Sequence, residues 1–161
     1  MMKLNVSWAP KSLLVLAICA SCWLLGGCND TVSDKDIVRA SLTETRALLQ
    51  DKPGVARAID TRTATDFATG HIPGAINLDL AAVKEDKDSI DPALAKFKTL
   101  VVYGADAGSG AASAMSKRLM RAGHKNVRLF AGGYAEWTAA GLKVDGSGAP
   151  KAPAQNAPAP K

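Results

Sequence analysis

A glycine-rich loop in the middle of the chain holds the residues best placed to do chemistry. It lies within LVVYGADAGSGAAS, positions 100–113, where an apolar run stops at Gly104. Backbone amides at the start of a following helix could form an anion nest, and Asp106 and Ser109 supply polar side chains. The stretch contains no Lys, so it lacks the Gly-Lys-Ser/Thr signature of a phosphate-binding loop. Three interpretations stay open: a small-anion site, a ligand site that uses Asp106, and a loop that only presents backbone to a protein partner or has no role.

Three other polar residues stand near the ends of predicted strands and helices. Histidine titrates near neutrality, which suits acid–base catalysis, but the GHIPGA motif places no Cys or Ser partner for His71. We therefore predict a structural role for His71, with Pro73 fixing an extended entry to the next strand. Asp60 and Arg62 are predicted to form a buried hydrogen-bonded pair that holds the neighbouring loop. The candidate ligand-binding residues are Asp106, Ser109, Arg62 and His71.

Alternating helices and strands must position these residues. The predicted helices cover residues 41–50, 64–68, 91–97, 110–122 and 134–140, and the predicted strands cover residues 55–60, 75–78, 99–103 and 127–130. The pattern predicts an α/β fold with a central parallel sheet of about five strands and helices on both faces. The TLVVY strand has no polar alternation, which indicates cover on both faces. Sites in such sheets lie at the carboxyl ends of the strands, where the loop of residues 104–110 begins.

Local signals support several of these elements. Ser41 and Glu44 have capping-box spacing, and Thr63 can cap the second helix. Gly70 is predicted to end that helix in a left-handed conformation. Trp137 is predicted to pack the last helix onto the sheet. In the helix over residues 110–122, the inward residues are predicted to be Ala114, Leu119 and Met120, and the outward ones Lys117, Arg118 and Arg121.

Three ordered segments resemble the rhodanese-like family. They are IDTRTATDFATGHIPGAINL at residues 59–78, LVVYGADAGSGAASAMSKRLMRAGHKNV at residues 100–127, and LFAGGYAEWTAAGLKV at residues 129–144. The resemblance covers nearly all of the predicted folded region. It implies the rhodanese-like fold and makes the glycine-rich loop the counterpart of the family's active-site loop.

The resemblance also implies that the reactive group is missing. In the family a nucleophilic Cys follows the VVY strand and accepts sulfur as a persulfide, and the related phosphatase branch uses the same Cys. Here that position is Gly104. The loop of Gly104, Ala105, Asp106, Ala107, Gly108, Ser109 and Gly110 contains no cation to support a thiolate, and it is about two residues longer than the common six-residue loop. A serine hydroxyl cannot carry a persulfide, so we predict no catalytic residue. We also predict no cofactor and no metal.

The two ends of the chain predict a lipid-anchored envelope protein. Residues 1–27 have the charge and apolar pattern of a signal peptide, and Leu25-Gly26-Gly27-Cys28 resembles the bacterial lipobox. We therefore expect acylation at Cys28, attachment to a lipid membrane, and a domain facing the periplasm or the exterior. Residues 28–35 are predicted as a linker and residues 36–145 as the domain. Residues 146–161 are predicted as a disordered Ala/Pro-rich tail.

Cysteine and charge counts narrow the function further. The three cysteines are Cys19, Cys22 and Cys28, so a processed and acylated chain would have no free thiol. Removal of residues 1–27 leaves 18 basic and 15 acidic residues, a formal net charge of +3 that is scattered along the chain and does not favour nucleic-acid binding. We predict a binding module for an unidentified envelope protein. The alternatives are a sulfurtransferase or hydrolase with an atypical loop that uses Asp106 or Ser109, and a tethering role for the tail.

Overall fold

A five-stranded, all-parallel sheet organises the domain. The computed structural model describes residues 31–51, 54–85 and 91–148, so the predicted signal peptide, Cys28, Pro53 and most of the predicted tail lie outside the described residues. The strands are β1 (Val38–Ala40), β2 (Ala56–Asp60), β3 (Ile76–Asn77), β4 (Thr99–Tyr103) and β5 (Val127–Phe130). Their order across the sheet is β1-β5-β4-β2-β3, and each neighbouring pair is parallel. The predicted α/β fold is confirmed.

Helices return the chain between the parallel strands. They are α1 (Leu42–Arg46), α2 (Ala64–Thr69), α3 (Pro92–Ala95), α4 (Gly110–Arg121) and α5 (Gly133–Ala139). Short turns of 3-10 helix precede β1 and α3, and a π-helical turn at Ala47–Asp51 extends α1. The predicted capping box begins α1, where Ser41 accepts a hydrogen bond from the backbone N–H of Glu44. No helix among the described residues is long and apolar enough to span a bilayer.

Two apolar cores lie on opposite faces of the sheet. Along β4, Leu100 and Val102 face one core and Val101 and Tyr103 face the other, and all are buried. Residues from α3 and α4 fill the first core, while α1, α2 and α5 contribute to the second. Trp137 is fully buried in the second core and meets Phe130 edge to face. Cover on both faces and the packing of Trp137 are therefore confirmed.

Several local predictions need correction. Gly70 ends α2 in extended backbone (φ −176°), so its predicted left-handed conformation is wrong. An added Cβ at Gly70 would lie 2.3 Å from the Tyr134 hydroxyl, so close packing accounts for this glycine. Strand β1 was missing from the predicted elements. The buried face of α4 consists of Ala112, Met115, Ser116 and Leu119, so Leu119 is confirmed. Met120 is half-buried and packs against the first core as predicted, whereas Ala114 is half-buried and is not part of that core.

Folded structure extends beyond the predicted domain limits at both ends. Before residue 36, the Lys117 ammonium lies 2.8 Å from the Asp34 carboxylate on the surface of α4. After residue 145, the N–H of Ser147 donates to the carbonyl of Ala68 and the N–H of Gly148 donates to that of Thr69. The domain therefore includes residues that were predicted as linker and tail.

Candidate functional site

The loop of residues 104–110 joins the carboxyl end of β4 to the start of α4 and rests against α5. The N–H of Tyr134 donates to the carbonyl of Gly104 (2.9 Å), and the N–H of Ala135 donates to the carbonyl of Ala105 (2.9 Å). The backbone approaches closely here, because an added Cβ at Gly133 would lie 2.8 Å from the Gly104 oxygen. The start of α5 therefore fixes the first half of the loop.

The second half of the loop folds on itself. The Asp106 carboxylate accepts a hydrogen bond from the N–H of Gly108 (2.9 Å), and the Asp106 carbonyl accepts one from the N–H of Ser109 (3.3 Å). The Ser109 hydroxyl accepts from the N–H of Ala112 (3.4 Å) and caps α4. Both polar side chains of the loop therefore bond to loop or helix backbone.

Ser109 also occupies the space beside Gly104. An added Cβ at Gly104 would lie 2.0 Å from the Ser109 hydroxyl oxygen and 2.3 Å from its Cβ. Such distances are far inside van der Waals contact, so a side chain at position 104 requires Ser109 to move. The cap of α4 and a side chain at the end of β4 are mutually exclusive in this loop conformation.

A cation from another strand lies at the loop. A cavity of about 100 Å³ is lined by Asp106, Ser109 and Ser113 together with Arg39, the central residue of β1. Arg39 is exposed and reaches the loop because β1 pairs with β5, which in turn neighbours β4. The loop segment contains no Lys or Arg of its own, so Arg39 gives this cavity a positive group that the local sequence does not reveal.

A buried ion pair lies at the carboxyl end of the neighbouring strand β2. Asp60 is fully buried and accepts from the Arg62 guanidinium, with the shortest contact at 2.6 Å. Arg62 also donates to the carbonyl of Gly70 (2.6 Å) and stacks over the Tyr134 ring at 3.9 Å. The predicted Asp60–Arg62 pair is confirmed, and the hydrogen bonds to Asp60 and Gly70 use the Nε and Nη2 groups of Arg62.

The electrostatics of this pair follow from burial and close contact. Burial lowers the pKa of Arg62, but the hydrogen bonds and charge of Asp60 outweigh it and raise the pKa overall. Burial and the neighbouring Asp60 raise the pKa of the Tyr103 phenol, which stays protonated and accepts from the N–H of Ile72 (3.1 Å). Arg62 and Tyr103 therefore keep one protonation state at the carboxyl ends of β2 and β4, which fits a structural role better than proton transfer.

The contacts of His71 fit the structural role predicted for it. Its ring stacks on Phe67 at 3.8 Å, and its Nδ1 lies 2.8 Å from the Phe67 carbonyl oxygen. Its backbone exchanges two hydrogen bonds with Asp145, and the Asp145 carboxylate accepts from the N–H of Gly74 (3.2 Å). We call residues 145–148 the C-terminal clasp, because they bind the end of α2 and the His71 turn.

The four candidate ligand-binding residues thus fall into two groups. Asp106 and Ser109 line the loop cavity, whereas Arg62 and His71 serve the packing of α2 and α5. Sequence reasoning missed Arg39, whose position depends on the β1–β5 pairing, and the docking of the loop on Gly133 and Tyr134. The second Gly of the AGG motif was the available signal for that docking. Within residues 31–51, 54–85 and 91–148, no cluster of three or more His, Cys, Asp or Glu residues could hold a metal ion.

Comparisons with known proteins place this geometry in a family. The sequence model described as "Rhodanese-like domain" matches residues 41–140. A human single-domain sulfurtransferase has a similar structure, with 28% identity, a TM-score of 0.50, and coverage of 63% of this chain and 95% of the human chain. The rhodanese-like domain of an Anabaena protein has a TM-score of 0.51 at 20% identity and covers 76% and 92%. A Bacillus halodurans protein has a TM-score of 0.61 at 17% identity and covers 71% and 81%.

Proposed function

The chain belongs to the rhodanese-like domain family, and from this premise we propose that it is a membrane-anchored binding module without sulfurtransferase activity. Sulfur transfer in this family is expected to need a Cys at the position of Gly104. The human relative is described as a sulfurtransferase, so the family relationship alone leaves that activity open. The residues of the loop decide whether sulfur transfer is chemically possible.

The filled space beside Gly104 is the observation that carries this proposal. A persulfide needs a thiol in that space and a positive, hydrogen-bonding environment around it. Here the Ser109 hydroxyl lies where a side chain of residue 104 would begin. The described residues contain no cysteine, so no thiol elsewhere in them can substitute. The loop is better suited to recognition than to sulfur transfer.

An enzyme that uses Asp106 or Ser109 is the alternative. A serine nucleophile needs a base within hydrogen-bond reach, and the partner found for the Ser109 hydroxyl is a helix N–H, which donates. The Asp106 carboxylate likewise accepts from the N–H of Gly108. Both contacts use the side chains as backbone caps, so they favour binding over catalysis.

We propose that the binding surface is the loop of residues 104–110 together with Arg39, and that its partner is an envelope protein. The cavity is too small for a drug-sized ligand, whose pockets measure about 300–1,000 Å³. A single side chain of a partner fits its size better. Asp106 and Arg39 offer opposite charges at its edge, so the partner segment would be polar.

Membrane attachment through Cys28 is the second part of the proposal. It rests on the lipobox resemblance of residues 25–28 and on the short segment that separates Cys28 from the first folded residues. Two or three acyl chains on one residue give stable anchoring. Mass spectrometry of the intact purified protein tests it: a Cys28 N-terminus with added diacylglyceryl mass supports the anchor, and an unmodified Cys28 contradicts it.

A sulfur-transfer assay tests the first part. The full chain, purified in detergent, is assayed for transfer from thiosulfate to cyanide, with the human single-domain sulfurtransferase as the positive control. We expect no rate above that of the boiled protein. Turnover above this background would contradict the proposal, and its loss in Ser109→Ala or Asp106→Ala would then identify an enzyme with an atypical loop.

A crosslinking pull-down from intact membranes tests the binding surface. Arg39→Ala and Asp106→Ala should each reduce recovery of a specific partner. Lys143→Ala, outside the loop cavity, is the matched control and should leave recovery unchanged. Equal recovery with all three variants would contradict the assignment of this surface.

A further inference from the structure

The chain enters the domain beside the end of α4. The Val32 carbonyl accepts from the Arg121 guanidinium (3.5 Å), and the Asp34 carboxylate pairs with Lys117 one helical turn earlier. Arg121 is the last residue of α4. Cys28 precedes Val32 by four residues, which span at most about 14 Å when fully extended. A lipid attached at Cys28 would therefore hold this end of the domain close to the bilayer surface.

The same end of the domain is basic. Because all five strands are parallel, the turns that lead into them lie along one edge of the sheet. Lys98 immediately precedes β4, Lys96 lies two residues earlier, and Lys125 lies two residues before β5. All three are exposed. We call Lys96, Lys98, Arg121 and Lys125 the basic end.

Acidic groups also reach this edge but are fewer or already paired. Asp51 precedes β2, and Asp91 caps α3. Glu85 pairs with both Arg118 and Arg121 (3.0 and 3.3 Å). Glu85 offsets one of these two guanidinium charges, Asp34 offsets Lys117, and Lys35 and Asp36 of the turn before β1 offset each other. The three exposed lysines and the second guanidinium then outnumber Asp51 and Asp91, so the described part of this edge is positive.

The opposite edge of the sheet carries acidic residues. Strands end and most helices begin there, and Glu44, Asp66 and Asp106 lie in these first turns and in the loop. Arg62 lies at the same edge, but Asp60 neutralises it, and the single positive charge of Arg39 at the loop cavity is outnumbered by the three carboxylates. The domain therefore has one basic end, where its N-terminal segment arrives, and one acidic end, where the loop cavity opens.

We propose that the basic end is a membrane-facing surface that rests on anionic phospholipid headgroups, so that the loop of residues 104–110 points away from the bilayer. This inference rests on the lipid anchor at Cys28 proposed above. The anchor brings the basic end within a few residues of the headgroups, and attraction between cations and anionic lipid holds that end down. The acidic end is repelled by the same surface. The occupant is thus an anionic lipid surface, selected by charge and by the point where the chain leaves the domain.

Single-cysteine reporters in the full processed chain test the orientation. The described residues contain no native cysteine, and acylation would block Cys28, so an introduced thiol is the only one that reacts. Lys125→Cys reports on the basic end. Thr65→Cys, in the first turn of α2, reports on the acidic end and is exposed. Each variant is labelled with a fluorophore and reconstituted in phosphatidylcholine vesicles with or without phosphatidylglycerol. All vesicles also contain a spin-labelled lipid that quenches a nearby fluorophore.

We expect several-fold stronger quenching at position 125 than at position 65 in vesicles that contain phosphatidylglycerol. The difference should shrink in 1 M salt, where the screening length falls to about 3 Å. Equal quenching at the two positions in floated vesicles would overturn the orientation while leaving the anchor intact. Labelling of the parent protein at Cys28, or failure to float with neutral vesicles, would instead show that the anchor is absent, and the inference would fail with it.

A charge series identifies the cause of the orientation. Lys96→Gln, Lys98→Gln and Lys125→Gln are combined with a reporter at Lys35→Cys, an exposed residue of the N-terminal segment that lies against α4. Quenching at position 35 should fall in this triple variant. Lys96→Arg, Lys98→Arg and Lys125→Arg keep the charges and should retain the quenching. If both triple variants behave like the parent, cationic attraction does not orient the domain.

Discussion

At the scale of single residues, Gly104 and Ser109 share one volume of space. The hydroxyl that caps α4 lies where a side chain at the end of β4 would start. The absence of a side chain at position 104 and the helix cap at position 109 are therefore two aspects of one arrangement. Introducing a side chain at position 104 requires giving up that cap.

A double-mutant cycle tests this exclusion. Gly104→Cys alone should destabilise the domain by about 1–3 kcal/mol, because its Cβ would overlap Ser109. Ser109→Gly alone should have an effect of only a few tenths of a kcal/mol, because glycine is tolerated at helix N-caps. The double variant should be more stable than Gly104→Cys alone and should react faster with a thiol reagent. Urea unfolding and labelling rates measure both effects, and strictly additive free energies would contradict the overlap.

The buried pair of Asp60 and Arg62 gives a second prediction at this scale. Asp60→Asn should destabilise the domain by about 3–5 kcal/mol, because it leaves the guanidinium buried without its counter-ion. Replacing both partners, with Asp60→Leu and Arg62→Met, should recover part of this loss. Urea unfolding measures the two variants, and a loss below about 1 kcal/mol for Asp60→Asn would show that the pair is dispensable.

At the scale of elements, the start of α5 supports the loop through backbone contact. Gly133 has a positive φ of 63°, and its Cα lies so close to the loop that an added Cβ would meet the Gly104 oxygen at 2.8 Å. Gly141, at the other end of α5, has a similar φ of 67° but open space around it. Both glycines therefore adopt left-handed backbone, but only Gly133 lies against the loop.

This difference gives a matched pair of variants. Gly141→Ala should destabilise the domain by about 1–2 kcal/mol through left-handed backbone alone. Gly133→Ala should destabilise the domain by about 1 kcal/mol more than Gly141→Ala, because its methyl group would also overlap the loop backbone. It should also raise amide hydrogen exchange at Tyr134 and Ala135, which donate to loop carbonyls. Equal losses of unfolding free energy in the two variants would show that the loop accommodates the added methyl group at Gly133 without an energetic cost.

The elements that the sequence predicted well are those with strong local signals. The TLVVY and VRLF strands are rich in Val, Leu and aromatic residues and are bounded by turn residues, and both have the predicted bounds. Strand β1 has only three residues with Arg39 at its centre, and it depends on pairing with β5, a contact with residues about 90 positions away. The position of Arg39 at the loop cavity follows from that pairing, so no local pattern could reveal it. The correspondence between Gly104 and the family's Cys position comes from the order of the motifs, and the lack of sulfurtransferase activity stays a prediction.

At the scale of the whole molecule, the direction of the helices sets the distribution of charge. Helices that connect parallel strands run against them, so acidic residues that cap helix starts collect at one edge of the sheet. Glu44, Asp66 and Asp106 lie at that edge. Basic residues near helix ends, such as Arg118 and Arg121, collect towards the other. Local capping preferences thereby add up to a molecular dipole.

One histidine links the stability of the domain to pH. Burial lowers the pKa of His124 below its ordinary value of 6.5, and the nearby Asp91 carboxylate offsets part of this effect. The folded state therefore favours the neutral ring, and the unfolded state binds the proton more readily. Stability from this group is present above pH 6.5 and is lost as the pH falls through that value towards the folded pKa.

Urea unfolding between pH 7.5 and 5.5 measures this effect. The midpoint should fall on acidification in the parent and should fall less in His124→Gln. The hydrogen bond and charge of Lys117 lower the pKa of Asp34 from 3.8, so its contribution is lost only at more acidic pH and does not overlap this range. Parallel curves for parent and variant would exclude His124 as the cause.

The C-terminal clasp has a mechanical consequence. Residues 145–148 bind the end of α2 and the His71 turn through a few backbone hydrogen bonds, while the core of the sheet lies beneath them. A force applied at the C-terminal end would act on these hydrogen bonds in sequence, and they would break before the strands of the sheet bear the force. Under tension applied at this end, we expect the clasp to open before the sheet unfolds, and the released residues would then extend the chain.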